Sequence, residues 1–367
     1  MTATVAFDAG PAKAQPTGVG VYVRELGTAL VDGAYEATAL IGVRPDGPLA
    51  ATASRAVRRT FMSGRLYQAW LQREADRDAR QVGAELVHYS NASAPVIAHT
   101  PFVVTIQDLS LIRYARSHPL PRLATVPIIV AAARRARAVI VPSRATAAEL
   151  QRMLRVDPRR IHVIELAPAP GPNISAGDRL AVLQQLRLLD RPYVLSIATL
   201  EPRKNLVRLI HAFELLAESK PDLRLVLLGA RGWKWRSIED AIEASPHRDR
   251  IVVPGYVSDL KRQALLDGAA VFAYVSLYEG YGLPVVEAMA AHVPVVTSRR
   301  SSLPEAAAGA AVLVDPLSVP EIAGGLQAAM DRRDELISMG TDRVGSLSWA
   351  RVARETAMVY EEALTGP

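Results

Sequence analysis

Two glutamates separated by seven residues, in Glu279-Gly-Tyr-Gly-Leu-Pro-Val-Val-Glu287, form the part of this sequence best suited to chemistry. The segment follows an apolar run ending near Val275, turns through Gly280, Tyr281 and Gly282, and enters a helix near Pro284. Proline suits a first helical turn, where its missing N–H has no partner to lose. Glycines let backbone approach a ligand closely, and unpaired N–H groups with the helix dipole make such a turn a cradle for an anion. Glu279 lies on the loop before the cradle. Glu287 lies one turn into the helix, placed to accept two hydrogen bonds from a vicinal diol, as an acidic residue holds ribose in dinucleotide-binding folds. A second loop, Thr199-Leu-Glu-Pro-Arg-Lys-Asn205, carries the adjacent cations Arg203 and Lys204 at its tip. Cations at a helix start oppose the helix dipole, so the pair points to a task other than helix stability. Fixed cations in a partly dry site stabilise negative charge as it develops on a leaving group.

Such loops need strand ends to hold them. In the first half, β-branched runs at 4–7, 37–43, 86–89, 102–106, 138–141 and 161–164 alternate with helical stretches at 21–31, 65–82 and 145–154. The second half repeats the pattern, with strands expected at 193–197, 223–228, 251–253, 271–274, 293–297 and 312–314. This alternation is the α/β signature, and strands apolar throughout indicate parallel sheets covered on both faces. Between the halves, Ala167-Pro-Ala-Pro-Gly-Pro172 can continue neither a helix nor a central strand. The expected organisation is therefore a domain at 1–168, a second at 173–348, and a helix at about 349–367. Both domains are doubly wound, with ligands expected in a cleft at the carboxyl ends of their strands.

Composition narrows the setting. The chain has no cysteine, which excludes disulfides and thiolate chemistry. Its longest apolar run, 124–133, is about half a membrane span and contains Pro127. Neither a transmembrane helix nor a signal peptide is expected, and a cytoplasmic protein is the natural reading. Residues 1–165 hold 21 Lys+Arg against 13 Asp+Glu, a balance of +8, while the remainder is close to neutral at −2. The basic half suits an anionic partner, or it is simply an Arg-rich solvated surface. Arginines scattered over helices without aromatic stacking motifs argue against nucleic acid. No metal site is expected: Asp76-Arg-Asp78 falls in a helix with its carboxylates on different faces, and the histidines lack ligand spacing.

With Pro284 and the following Val293-Pro-Val-Val-Thr-Ser298, the glutamate pair around Gly-Tyr-Gly resembles the hallmark of the family 4 retaining glycosyltransferases, which have the GT-B fold. Thr105-Ile-Gln-Asp-Leu109 is similar to the Thr-Ile-His-Asp-Leu of the family's bacterial mannosyltransferase-like branch. The resemblance covers essentially the whole chain and is strongest over 193–300. It implies two Rossmann-like domains and transfer of a sugar, mannose favoured, with retention at the anomeric carbon. The donor would be a nucleotide diphosphate sugar, GDP-mannose favoured, and the acceptor a hydroxyl of a glycan, a glycolipid or a small molecule. No metal or other cofactor is implied.

The resemblance also assigns roles. Glu279 would lie by the donor sugar and Glu287 at the ribose. Arg203, Lys204, Gly18, Gly20 and the Gly280–Leu283 turn would meet the phosphates, and Tyr256 and Val257 would lie beside the nucleobase. Gln107 and Asp108 would sit at the sugar. Gln107 stands where the family has histidine; glutamine still donates and accepts hydrogen bonds but cannot become cationic. The terminal helix would cross back to the first domain with Trp349 packing, and 44–64 would hold the acceptor. Two alternatives keep the fold: a sugar-nucleotide epimerase, which needs no acceptor, and a noncatalytic partner subunit. Finally, 50–73 carries five arginines and no acid, interleaved with Phe61, Leu66, Trp70 and Leu71. Such a stretch suits the anionic inner face of the plasma membrane, or else it packs on its own sheet.

Overall fold

In a computed structural model of the chain, residues 3–12, 18–35, 37–44, 49, 56–59, 64–115, 118 and 120–366 are described. The chain forms two compact units. Met1–Ala115, Leu120–Ala167 and Leu347–Pro367 build the first, and the second is built on Pro168–Ser346. The boundary after Ala167 opens the proline-rich hexapeptide, where missing N–H groups and fixed φ angles stop both sheet and helix.

The first unit contains a seven-stranded sheet ordered β3-β2-β1-β4-β5-β6-β7. Its strands are β1 (Val5–Asp8), β2 (Thr38–Val43), β3 (Ala56–Arg58), β4 (Leu86–Tyr89), β5 (Phe102–Thr105), β6 (Ala138–Val141) and β7 (Ile161–Val163). The second has six strands ordered β10-β9-β8-β11-β12-β13. These are β8 (Tyr193–Ile197), β9 (Arg224–Leu228), β10 (Ile251–Gly255), β11 (Val271–Tyr274), β12 (Val295–Ser298) and β13 (Val312–Val314). Neighbouring strands pair in parallel throughout both sheets. Each apolar run expected to be a strand is one. The addition is β3, an edge strand whose three residues are too few to show a pattern.

At Trp70 and Leu71 the helix Gly64–Arg73 follows the second of the two readings, packing on its own sheet. Trp70 and Leu71 are buried in the core of the first unit, so they are not groups for membrane insertion. Trp70 packs over Gly42, where a Cβ would come within 2.6 Å of the indole and where φ is +66°. Its Nε1 donates to Asp78 at 2.8 Å, and Arg59 donates to the same carboxylate oxygen at 2.9 Å. Asp76 in turn accepts from the Thr100 N–H at 3.0 Å. Both carboxylates of the Asp-x-Asp are thus occupied in holding this layer together. Leu66 remains exposed, while Arg55 and Phe61 lie outside the described residues, as does most of the proposed acceptor segment 44–64.

A buried polar chain crosses the same unit. Tyr360, on the helix Trp349–Thr365, bonds His88 Nδ1 at 2.7 Å, and His88 Nε2 bonds Thr105 Oγ1 at 2.7 Å. Tyr22, on the helix Gly18–Ala29, completes it at 2.8 Å from the same Thr105 oxygen. Burial pushes His88 down to about 3, so the ring is neutral. The last helix is thereby fixed to β4, β5 and the first helix, and Trp349 packs with its ring 6.3 Å from that of Tyr22.

Candidate functional site

In the second sheet β8 lies between β9 and β11, so chain order reverses at the β8–β11 border. Open α/β sheets bind ligands outside the strand carboxyl ends at such a switch point. The loops leaving these two ends hold most of the residues singled out above. After β8 the chain makes a short 3-10 turn, Pro202–Lys204, and reaches Asn205 at φ +61°. The Asn205 amide donates to the carbonyls of Val275 at 3.1 Å and Pro316 at 2.6 Å, and the Leu277 N–H donates to the Arg203 carbonyl at 2.9 Å. These bonds set Arg203 and Lys204 against the loop that leaves β11.

There the two cations converge on Glu279. Lys204 Nζ donates to Oε1 at 2.6 Å and to the Tyr274 hydroxyl at 2.8 Å. Arg203 donates to Oε2 at 3.0 Å, to the Tyr278 carbonyl at 2.8 Å, and to Glu201 at 2.8 and 3.1 Å. Burial by itself would raise the Glu279 carboxyl, but Lys204 and Arg203 outweigh it and hold the group at about 2. Burial lowers Lys204 from the ordinary lysine value, with Glu279 opposing. Burial, then Glu279, holds the Tyr274 phenol well above its usual range and so protonated. Sequence placed the two cations at a loop tip. They are instead largely buried and ion-paired, because the register of β8 and β11 brings Glu279 between them.

The glycine turn is held from below. The hydroxyls of Ser301 and Ser302 donate to the Glu279 carbonyl at 2.5 and 2.9 Å, and Ser302 also reaches the Tyr281 carbonyl at 2.8 Å. Gly282 has φ +116°, and a Cβ there would lie 2.8 Å from Leu303, so backbone conformation and packing both demand glycine. The helix Leu283–Ala290 starts directly afterwards, with Pro284 in its first turn. The Tyr281 ring is interior, with its hydroxyl 3.3 Å from Arg343. Glu287 is ion-paired with Arg262, of the helix Asp259–Asp267. Tyr256 is exposed on the loop after β10, and Val257 beside it is half-buried. Gly229, at the end of β9, has a reason internal to the fold: a Cβ would stand 1.9 Å from the Ala198 carbonyl oxygen.

The first unit holds the other predicted residues. Gly18 opens its helix in the open, where a Cβ would meet nothing within 4 Å, whereas Gly20 is buried. Gln107 follows β5, and its Nε2 is a buried donor without a hydrogen-bond partner among the described residues, in a small pocket lined by Tyr22, Thr105, Val352 and Thr356, among others. Asp108 Oδ1 accepts from the Ser110 N–H at 2.7 Å, anchoring its own turn before the helix Ser110–Arg113. The geometry thus gathers Glu279, Arg203 and Lys204 into one cluster and gives Glu287 a separate partner. Sequence reading missed Glu201, Asn205, Tyr274 and Arg262. Of these only Glu201 and Asn205 carried a signal, as polar residues flanking Arg203 and Lys204.

Comparison with known proteins adds two family matches. Residues 181–341 match Glycosyl transferases group 1, and residues 16–166 match Glycosyltransferase Family 4. The O-antigen chain mannosyltransferase B of Escherichia coli is 32% identical over 266 residues, 71% of this chain and 70% of that protein. The MMP alpha-(1->4)-mannosyltransferase of Mycolicibacterium hassiacum is 32% identical over 242 residues, 63% of this chain but only 56% of its own length. Among solved structures, sucrose-phosphate synthase from Thermosynechococcus elongatus superposes with a TM-score of 0.75 at 22% identity, covering 98% of both chains. Anabaena HepE in complex with UDP and glucose gives 0.73 at 17% identity, covering 98% of this chain and 99% of that one.

Proposed function

The chain belongs to the family 4 glycosyltransferases, in their bacterial mannosyltransferase-like branch with the GT-B fold, and on that premise we propose that it transfers a sugar, mannose favoured, from a nucleotide diphosphate sugar to an acceptor hydroxyl. The observation that carries this reading is the convergence of Arg203 and Lys204 at the β8–β11 switch point, their geometry fixed by Glu279. In the reaction the bond from the anomeric carbon to the diphosphate oxygen breaks, and a bond to the acceptor oxygen forms on the same face. The acceptor proton passes to the leaving phosphate, so no protein base is required. Arg203 and Lys204 stabilise the charge left on the diphosphate, with the backbone N–H groups of 280–283 and the helix start beside them.

Glu279 orients both cations and lies by the sugar, and Glu287 receives the ribose. Tyr256 and Val257 take the base side. On the first unit, Gly18 and Gly20 serve the phosphates, and Gln107 and Asp108 serve the sugar. Gln107 Nε2, unpaired among the described residues, supports its share, since a buried donor gains most from a ligand oxygen. GDP-mannose is the favoured donor, on the likeness to two proteins named as mannosyltransferases. The acceptor is a glycan, a lipid-linked sugar or a small molecule, as in polysaccharide assembly at the inner face of the plasma membrane. Neither a metal nor another cofactor has a role in this scheme.

A donor panel tests the proposal. The chain is incubated with GDP-, UDP-, ADP- and dTDP-sugars, with and without glycan acceptors and EDTA, while nucleoside diphosphate release and product anomeric configuration are followed by NMR. The expected result is acceptor-dependent release from GDP-mannose, an α-linked product and a rate indifferent to EDTA. An inverted product refutes retention, and strong reversible inhibition by EDTA refutes the metal-free scheme. An isomerised donor formed without acceptor indicates an epimerase, and no turnover of any donor indicates a noncatalytic subunit.

A further inference from the structure

Glu287 stands in the second turn of the helix Leu283–Ala290, its side chain only 11% exposed. Among the described residues its carboxylate has a single partner, the guanidinium of Arg262, which donates to Oε2. Arg262 comes from the helix Asp259–Asp267. That helix is capped by Ser258, whose Oγ accepts from the Lys261 N–H, and it continues directly from the loop that carries Tyr256 and Val257. One side chain therefore ties the helix behind the base-side loop to the carboxylate assigned to the ribose.

The pairing has consequences for binding. A carboxylate largely out of water is unfavourable unless a cation and hydrogen bonds compensate it. A guanidinium on one oxygen supplies that compensation and fixes the carboxylate rotamer, and the second oxygen keeps its lone pairs. Arginine suits the task because it stays charged and its planar fork is pre-organised.

We propose that Arg262 is a positioning residue of the nucleotide site: by holding Oε2 of Glu287 it fixes the carboxylate rotamer and presents Oε1 to the ribose hydroxyls. The inference rests on the assignment of Glu287 to the ribose, and it makes Arg262 essential to a diol contact that it does not itself make. Its signature is selective. Loss of Arg262 weakens binding only of nucleotides that carry the diol.

The test measures dissociation constants for GDP and UDP and for their 2′,3′-dideoxy analogues by calorimetry, on the full chain. Wild type is expected to prefer the diol form of its nucleotide by about tenfold or more. Arg262→Ala should weaken that form about tenfold, leave the dideoxy analogue within about twofold, and raise donor KM with little change in kcat. Arg262→Lys should recover part of the loss. Arg262→Ala in a Glu287→Gln background should cost little more, as expected for residues acting through one contact. Thermal melts of each variant check folding, and Arg262→Lys keeps the test usable if the alanine variant is unstable.

Equal weakening of diol and dideoxy nucleotides by Arg262→Ala overturns the inference, since Arg262 would then touch base or phosphate. Tighter diol binding also overturns it, since Arg262 would then be a competitor for Glu287. Discrimination lost in Glu287→Gln but kept in Arg262→Ala refutes the role of Arg262 alone. Wild type that binds diol and dideoxy forms equally, or binds neither nucleotide, refutes the ribose assignment and the inference together.

Discussion

Glu279→Gln removes one charge from the centre of the β8–β11 cluster and leaves Arg203 and Lys204 facing each other without it. Holding the carboxyl at about 2 against an ordinary 4.5 corresponds to about 3 kcal/mol of folded-state stability, at about 1.4 kcal/mol per tenfold. This is a ceiling, because burial works against the Lys204 ammonium and lowers its value. The folded carboxyl is depressed, so its contribution is fully present above 4.5 and is lost as pH falls through about 2. At pH 3 roughly 2 of the 3 kcal/mol should already be gone, because the unfolded chain binds the proton and the folded one does not. Urea unfolding followed by circular dichroism at pH 7, 4 and 3 measures the difference between wild type and Glu279→Gln. The deficit at neutral pH should also appear as a lower melting temperature, by roughly 6–12 °C at most for a domain of this size. A deficit below about 0.5 kcal/mol at pH 7, or one unchanged at pH 3, refutes the view that the two cations hold this carboxylate ionised.

On the proposed role of its charge at the leaving diphosphate, Lys204→Ala should lower kcat by about tenfold or more; a matching loss of folded protein with normal specific activity would make the residue purely structural. Gln107→Ala should raise the barrier by roughly 1–3 kcal/mol in the donor assay, and Gln107→His should stay active, with a changed preference among donor sugars. Wild-type kinetics for Gln107→Ala would remove it from the sugar. Tyr360→Phe should destabilise the first unit by about 1–2 kcal/mol in denaturant titrations by stranding His88 Nδ1, and an unchanged midpoint would show that this end of the chain carries no stability.

What the sequence determined by itself was local in the chain. The strands follow from short apolar runs bounded by turn residues, and the division follows from three prolines in Ala167–Pro172, because each needs only neighbouring residues to express its preference. The Glu279–Glu287 segment was legible for the same reason: both carboxylates, both glycines and Pro284 belong to one strand–turn–helix unit. Tertiary structure decided what depends on register and helix rotation. Lys204 and Glu279 are 75 positions apart and meet only because β8 and β11 are adjacent, which turns two loop-tip cations into a largely buried cluster. Arg262 reaches Glu287 from another helix, 25 positions away, with no local pattern to announce it. Trp70 and Leu71 read equally well as a membrane face or a core face, since helical periodicity shows that an apolar side exists and not what covers it.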